Sequence, residues 1–298
     1  MGRDRPQSSF PQSPAAPARR QRRWPWLLLF LPVAVYAAWF GFAYANQEAM
    51  IFPGAGRLRA NADGPSDAEI ERVWITTPQG EQVEAWFKPG HGRSATSPGP
   101  AVIYFHGNYD LIDSRWSAVQ PYVGLGLSAL AVEYRGYGRS GGNPAQAGLI
   151  ADAICFRDWL AARPEVEPNC IIYHGLSIGG AVATALAAER PPAALILECT
   201  FTSMTAIAQR YLLPGFLCRH PFETDRVVAR LQCPILIEHG RHDRTIPISH
   251  GRRLHELAPG SRFIELDCGH GDFRTDWDEI RAFLADAGLV PRDIAEEP

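Results

Sequence analysis

The pentapeptide Gly175-Leu176-Ser177-Ile178-Gly179 constrains this chain more than any other stretch. It is preceded by Cys170-Ile171-Ile172-Tyr173-His174, an apolar run of strand type. It is followed by the alanine-rich segment Gly180 to Glu189, which favours helix. A G-x-S-x-G sequence in that setting reads as a nucleophile elbow, a sharp turn that lifts a serine hydroxyl beyond the carboxyl edge of a sheet at the start of a helix. The turn needs strained backbone at the serine. It also brings the flanking chain so close that side chains at 175 and 179 would collide. An ordinary glycine turn is the competing reading, and the strand and helix on either side argue against it.

Other strand-like runs are Ala101 to Phe105, Ser128 to Glu133, Ala194 to Leu197, Pro234 to Glu238 and Arg262 to Leu266. Helical patterns lie between them, near 112–126, 146–163, 178–190, 247–258 and 275–286. Continuous apolar strands separated by helices predict an α/β fold, a mostly parallel central sheet with helices on both faces. Val73 to Thr77 and Gln82 to Phe87, joined by Pro78-Gln79-Gly80-Glu81, predict an opening antiparallel hairpin. Residues 89–100 read as a loop. Residues 200–230 break the rhythm and read as a short helical cap inserted over the site. In such sheets ligands bind beyond the carboxyl ends of the strands.

The N-terminal part is different in kind. Residues 1–23 are rich in Pro, Ser, Gln and Ala and end in Arg19-Arg20-Gln21-Arg22-Arg23, which reads as a disordered basic tail. Residues 24–45, WPWLLLFLPVAVYAAWFGFAYA, hold no charged residue. That is enough for the roughly 20 residues that span a bilayer as a helix. Trp24, Trp26, Trp39 and Tyr44 fall towards the two ends, as interfacial anchors do. The expectation is one N-terminal transmembrane helix, with the arginines cytoplasmic and the large domain on the outer, periplasmic or lumenal side. Cleavage of a signal near Ala43-Tyr44-Ala45 is the alternative, although the apolar stretch exceeds the usual signal core. Residues 46–70, with Pro53, Gly54, Gly56, Gly64 and Pro65, read as a linker, and residues 71–290 as the catalytic domain.

The chain has 298 residues, 46% hydrophobic and 20% charged, with a net charge of −3. Once the N-terminal part is set aside, this suits one large core. No basic stripe in the folded part points to nucleic acid. The six cysteines, Cys155, Cys170, Cys199, Cys218, Cys233 and Cys268, include no C-x-x-C pair, and Cys199 with Cys218 is the disulfide pairing to test. No clustered ligand spacing implies a metal. No dinucleotide or phosphate loop implies a cofactor: Gly136 to Gly142 lacks the G-K-[ST] ending and reads as an edge loop shaping the pocket.

A serine hydroxyl needs a base, and the base needs an orienting acid. His270, flanked by Gly269 and Gly271 after the last strand, is the candidate base. Asp243, in the loop after the strand Pro234 to Glu238, is the candidate acid, with Glu198 in reserve. His174, His239 and His242 sit on the same edge in other loops and read as packing or loop-ordering residues. An oxyanion needs two backbone donors. Ile178, directly after the serine, and Asn108, in His106-Gly107-Asn108-Tyr109 after the first parallel strand, are the candidates.

These segments together resemble the α/β-hydrolase superfamily of serine hydrolases. The resemblance is closest to a membrane-anchored branch that includes the eukaryotic depalmitoylase-type α/β-hydrolase-domain proteins and bacterial relatives. It rests on Gln47-Glu48 to Ile51-Phe52-Pro53, His106-Gly107-Asn108, Glu133 to Ser140, Gly175 to Gly180, Leu197 to Met204, His239 to Asp243 and Gly269-His270. The eukaryotic proteins begin with a cysteine-rich, acylated segment; this chain has no cysteine before Cys155. The resemblance implies an α/β-hydrolase fold and hydrolysis of an ester or thioester through an acyl-serine; it does not fix the substrate, for which a small-molecule or lipid-like ester is the expectation. A serine peptidase of related fold and a catalytically silent membrane-tethered scaffold are the alternatives. Phe201, Met204, Tyr211, Leu212, Leu213, Phe216 and Leu217 in the insertion either line an acyl pocket or pack the cap onto the core.

Overall fold

The computed structural model describes residue 1 and residues 24–292, with the side chains of 24–29 left outside the description. The expected basic tail therefore lies outside the described residues. The chain divides into two compact units, the first ending at Phe42 and the second beginning at Ala43.

In the first unit the main element is α1 (Trp24–Ala45), whose last turn runs into the second unit; Pro32 lies inside it. Phe30, Leu31, Val33 and Val35 on it are exposed. Among the described residues no helix is long and apolar enough to cross a membrane. The expected span 24–45 is helical throughout, but the side chains of its first turns are outside the description.

The second unit is built on an eight-stranded sheet in the order β1-β2-β4-β3-β5-β6-β7-β8. The strands are β1 (Glu71–Thr76), β2 (Gln82–Lys88), β3 (Gly99–Phe105), β4 (Ser128–Val132), β5 (Val166–Leu176), β6 (Ala194–Glu198), β7 (Ile235–Gly240) and β8 (Arg262–Leu266). β2 runs antiparallel to β1 and β4, and every other pairing is parallel. This is the mostly parallel sheet that the apolar runs predict, opened by the expected hairpin. β3, β4 and β6 are buried almost end to end because helices cover both faces. Those helices are α3 (Ile112–Gly124), α4 (Gln146–Ala161), α5 (Ile178–Glu189), α8 (Ser249–Leu257) and α9 (Trp277–Asp286). One core packs α4, α5 and α8 against the sheet through Phe156, Leu186 and Leu254; the other packs α3 and α9 through Val119, Tyr122 and Phe283.

The insertion between β6 and β7 holds α6 (Met204–Arg210), a 3₁₀ turn (Gly215–Leu217) and α7 (Thr224–Val228). Of its apolar residues, Phe201 is in the core and Met204 packs partly against it, whereas Tyr211, Leu212 and Phe216 are exposed. All six cysteines are free thiols, so Cys199 and Cys218 are not bonded to each other.

Segment 46–70 is more than a tether. It carries α2 (Gln47–Ile51), buries Ile51 and Phe52, and sends Gly54 N–H to Asn108 O at 3.2 Å and Gly56 N–H to Gly136 O at 2.9 Å. Gln47 donates to Leu217 O at 2.9 Å and accepts from Arg219 N–H at 2.9 Å. Glu48 pairs with Arg219 at 2.8 Å. The segment acts as a strap that ties the cap to the loop after β3. Its sparse apolar content and its glycines and prolines give it the sequence signature of a linker.

Candidate active site

The turn between β5 and α5 places Ser177 at φ 56° and ψ −119°, a conformation costly for a residue with a side chain. Its surroundings hold it there. Ser177 N–H donates to Glu198 O at 2.8 Å, and Ser177 O accepts from the Thr200 hydroxyl at 2.7 Å. The glycines are required by contact: a Cβ at Gly175 would lie 2.3 Å from the Gly179 backbone, and one at Gly179 would lie 2.0 Å from Phe105 O. The start of α5 is thereby pressed against the end of β3, as the sequence motif predicts.

Asp243 follows β7 and His270 follows β8, the neighbouring strand. His270 Nδ1 donates to Asp243 Oδ2 at 2.6 Å. The Asp243 side chain is fully buried and that of His270 is 21% exposed. Asp243 Oδ1 accepts Thr245 N–H at 2.8 Å and Ile246 N–H at 2.7 Å. Burial pushes the Asp243 pKa up, but the His270 and Ile246 hydrogen bonds outweigh it and hold the carboxyl below its ordinary value. Ser177 lies at the carboxyl edge of the same sheet, but among the described residues its hydroxyl makes no hydrogen bond to His270. Such contacts often close only with substrate present.

The other candidates on this edge are occupied elsewhere. Glu198, the reserve acid, accepts from the Thr275 hydroxyl at 2.6 Å and faces His174 Nε2 at 3.1 Å, while the carboxylate paired with His270 is that of Asp243. His174 Nδ1 meets the Tyr122 hydroxyl at 2.9 Å. His239 Nε2 donates to Ile246 O at 2.8 Å, and exposed His242 meets Asp267 at 2.9 Å. Cys199, His239 and Asp243 bring possible metal-ligand atoms within 4.8 Å of one another. They are poorly suited to hold an ion: His239 Nε2 is committed to Ile246, both Asp243 oxygens are engaged, and burial pushes the Cys199 thiol far above its ordinary pKa.

The loop after β3 carries Asn108. Among the described residues neither the Asn108 nor the Ile178 backbone N–H is used in a hydrogen bond, which leaves both available. The carbonyls of His106, Gly107 and Asn108 are each held. The Tyr134 hydroxyl donates to His106 O at 2.6 Å, His106 Nδ1 to Gly107 O at 2.7 Å, and the Tyr137 hydroxyl to Asn108 O at 3.0 Å. The Asn108 side chain donates to Ile51 O at 3.1 Å. Glu133, Tyr134, Tyr137 and the strap lie in segments that carry the resemblance, but their contacts with the loop after β3 are not readable from those motifs.

A cleft of about 820 Å³ lies between the end of α5 and α7, lined by Ala187, Pro191, Arg226, Arg230 and Leu231 among others. It is at the amino end of β6, the opposite edge from Ser177, and none of the site residues lines it.

Residues 96–218 match the family described as "Serine aminopeptidase, S33". The uncharacterized protein Rv2307c of Mycobacterium tuberculosis is 32% identical over 262 residues, covering 84% of this chain and 91% of its own. The α/β-hydrolase domain-containing protein WAV2 of Arabidopsis thaliana is 29% identical over 253 residues, covering 76% and 81%. A thermophilic esterase from Thermogutta terrifontis superposes with a TM-score of 0.63 at 18% identity, over 81% of this chain and 99% of that one. An elbow serine between β5 and α5, an eight-stranded mostly parallel sheet and a relative alike along most of both chains lead to one assignment: the chain belongs to the α/β-hydrolase superfamily.

Proposed function

We propose that this chain is a serine hydrolase that cleaves carboxylic esters or thioesters through an acyl-serine intermediate. One juxtaposition carries the reading: Ser177, strained at φ 56°, shares a sheet edge with a His270–Asp243 pair bonded at 2.6 Å. In this reading Ser177 Oγ attacks the carbonyl carbon while His270 Nε2 takes its proton. Asp243 holds the imidazole in the tautomer that presents Nε2 and stabilises the imidazolium that forms. The Ile178 and Asn108 N–H groups receive the oxyanion, aided by the N-terminus of α5. His270 then protonates the departing alkoxide or thiolate. Water, deprotonated by the same imidazole, releases the acid and restores Ser177. The esterase activity of the Thermogutta terrifontis protein is consistent with this chemistry.

We also propose that α1 holds the catalytic unit at a membrane, on the outer face. The support is the uncharged sequence 24–45, its exposed apolar side chains from Phe30 onward and the arginines before it. Retention in the membrane pellet after alkaline carbonate, with an intact N-terminus, is the expected result. A soluble protein beginning after Ala45 would instead show signal cleavage.

The deciding experiment is fluorophosphonate labelling of detergent-solubilised protein beside Ser177→Ala, with p-nitrophenyl esters of rising chain length and labelled dipeptides. Labelling that depends on Ser177, with ester turnover, is expected. Turnover of dipeptides alone would favour the peptidase suggested by the matching family's description. Folded protein with neither activity would favour a scaffold.

A further inference from the structure

The loop proposed to supply an oxyanion donor rests on a buried pair, His106 and Glu133. His106 and Glu133 follow β3 and β4 directly, and those strands pair in parallel with Phe105 opposite Val132. The next residue of each strand is therefore brought beside the other. His106 Nε2 lies 2.7 Å from Glu133 Oε1, and both side chains are almost wholly excluded from solvent. His106 Nδ1 lies 2.7 Å from Gly107 O. Glu133 Oε1 also accepts Tyr134 N–H at 3.1 Å, and Oε2 accepts Ile112 N–H at 3.3 Å.

Both ring nitrogens of His106 thus face acceptors. A carbonyl oxygen has no proton to give, and a carboxylate that receives backbone N–H bonds on both oxygens acts as an acceptor. With Glu133 ionised, each nitrogen carries a proton, which makes the ring an imidazolium. The peptide plane supplies the link to chemistry. In a trans peptide the carbonyl of one residue and the N–H of the next point in opposite directions from one rigid plane. A donor fixed on Gly107 O therefore fixes where the Asn108 N–H points.

We infer that Glu133 keeps His106 in its charged form so that His106 Nδ1–H, bound to Gly107 O, aims the Asn108 N–H at the oxyanion. His106 and Glu133 are positioning residues, acting through the Gly107–Asn108 peptide without touching substrate. The inference rests on the hydrolase reading and deepens it. A charged donor on Gly107 O also polarises that peptide and strengthens its N–H as a donor. A buried ion pair contributes little to net stability, so its place beneath this loop fits a geometric task better than a stabilising one.

The groups facing His106 are few. Glu133 comes from the end of β4 and Asp110 from its own loop; Arg115 of α3 pairs with Asp110 at 3.0 Å. The rings of Tyr134 and Tyr137 lie 4.2 Å and 5.8 Å away. Burial disfavours the imidazolium, but Glu133, through charge and hydrogen bond, with Gly107 O and Asp110, outweighs it and raises the His106 pKa above its ordinary value.

The test compares ester kinetics across pH for the parent, His106→Leu, His106→Asn and Glu133→Gln, with fold checked by circular dichroism. Asparagine places an amide N–H near the position of Nδ1. Expected for His106→Leu is a fall in kcat of about 10²-fold, the scale of a lost oxyanion donor, with KM little changed. His106→Asn is expected to recover a large part of that loss. In Glu133→Gln the alkaline fall of kcat should begin at lower pH than in the parent. A folded His106→Leu with parental kcat, or an asparagine variant no better than leucine, would overturn the inference. If the variants do not fold, nitrogen-15 NMR of histidine-labelled parent decides: two protonated ring nitrogens on His106 at neutral pH are expected, and one bare nitrogen overturns it. A parent that is neither labelled by fluorophosphonate nor active would instead sink the hydrolase reading, and this inference with it.

Discussion

The Asn108 side-chain amide donates to the carbonyl of Ile51 at 3.1 Å, joining the loop after β3 to a segment that precedes the first strand. The same Asn108 gives its own carbonyl to Gly54 N–H and to the Tyr137 hydroxyl. A residue whose backbone N–H is proposed to bind an oxyanion is therefore tethered through both its side chain and its carbonyl. Asn108→Ala removes one tether. Stability should fall by about 1 kcal/mol, the net value of a neutral hydrogen bond. The kcat for p-nitrophenyl esters should fall more steeply than 1/KM. Thermal melts and initial rates check the two parts separately.

Asp243→Asn should leave the fold intact and lower kcat by about 10⁴-fold, because an amide in place of the carboxylate favours the wrong histidine tautomer. The parental 2.6 Å contact to His270 Nδ1 is the observation at stake. A variant retaining more than a tenth of parental kcat would remove Asp243 from the proposed mechanism.

Glu238 gives a pH prediction. It lies on β7 opposite Glu198 of β6, fully buried, with neither carboxyl oxygen in a hydrogen bond among the described residues. Burial first, and the Glu198 charge second, push its pKa from an ordinary 4.5 up to about 9. An acid with a raised folded-state pKa holds its proton in the folded state and loses it on unfolding. Stability therefore declines as pH rises from about 4.5 to about 9. Glu238→Gln should flatten that slope, melting above the parent at alkaline pH and converging with it as pH falls towards 4.5. Parallel melting curves across this window would contradict it.

Gly179→Ala tests the elbow. The added Cβ would meet Phe105 O at 2.0 Å, a backbone atom that cannot move without displacing the end of β3. A loss of about 3 kcal/mol or more is expected, visible as a depressed melting temperature or failure to accumulate folded protein.

The strap offers a contrast between two of its residues. Phe52 is 1% exposed and packs edge-on to His220 at 5.8 Å. Phe52→Ala should cost about 3–5 kcal/mol. Glu48 pairs with Arg219 at the surface, and Glu48→Ala should cost less than about 1 kcal/mol. Equal effects in denaturant titrations would refute the assignment of Phe52 to the core.

The sequence makes the sheet legible because β3, β4, β6 and β7 are buried on both faces and contain continuous apolar runs. The positions of Ser177, Asp243 and His270 follow from the same runs, since each stands just past a strand. The His106–Glu133 pair is not legible that way. The two are 27 positions apart in sequence, and only the parallel register of β3 with β4 makes them neighbours. The strap's packing is hidden for another reason: its buried apolar residues, Ile51, Phe52 and Ile70, stand among glycines and prolines and carry no periodicity. The cap's apolar residues mislead in the other direction. Leu212 and Phe216 have the composition of pocket lining yet are 74% and 87% exposed.

Because Ile51 and Gly54 complete the loop that carries Asn108, the seam at which this protein can be recombined lies upstream of them. A graft made at the first strand would carry over the entire sheet and still leave the loop of the candidate site without the segment it is bonded to.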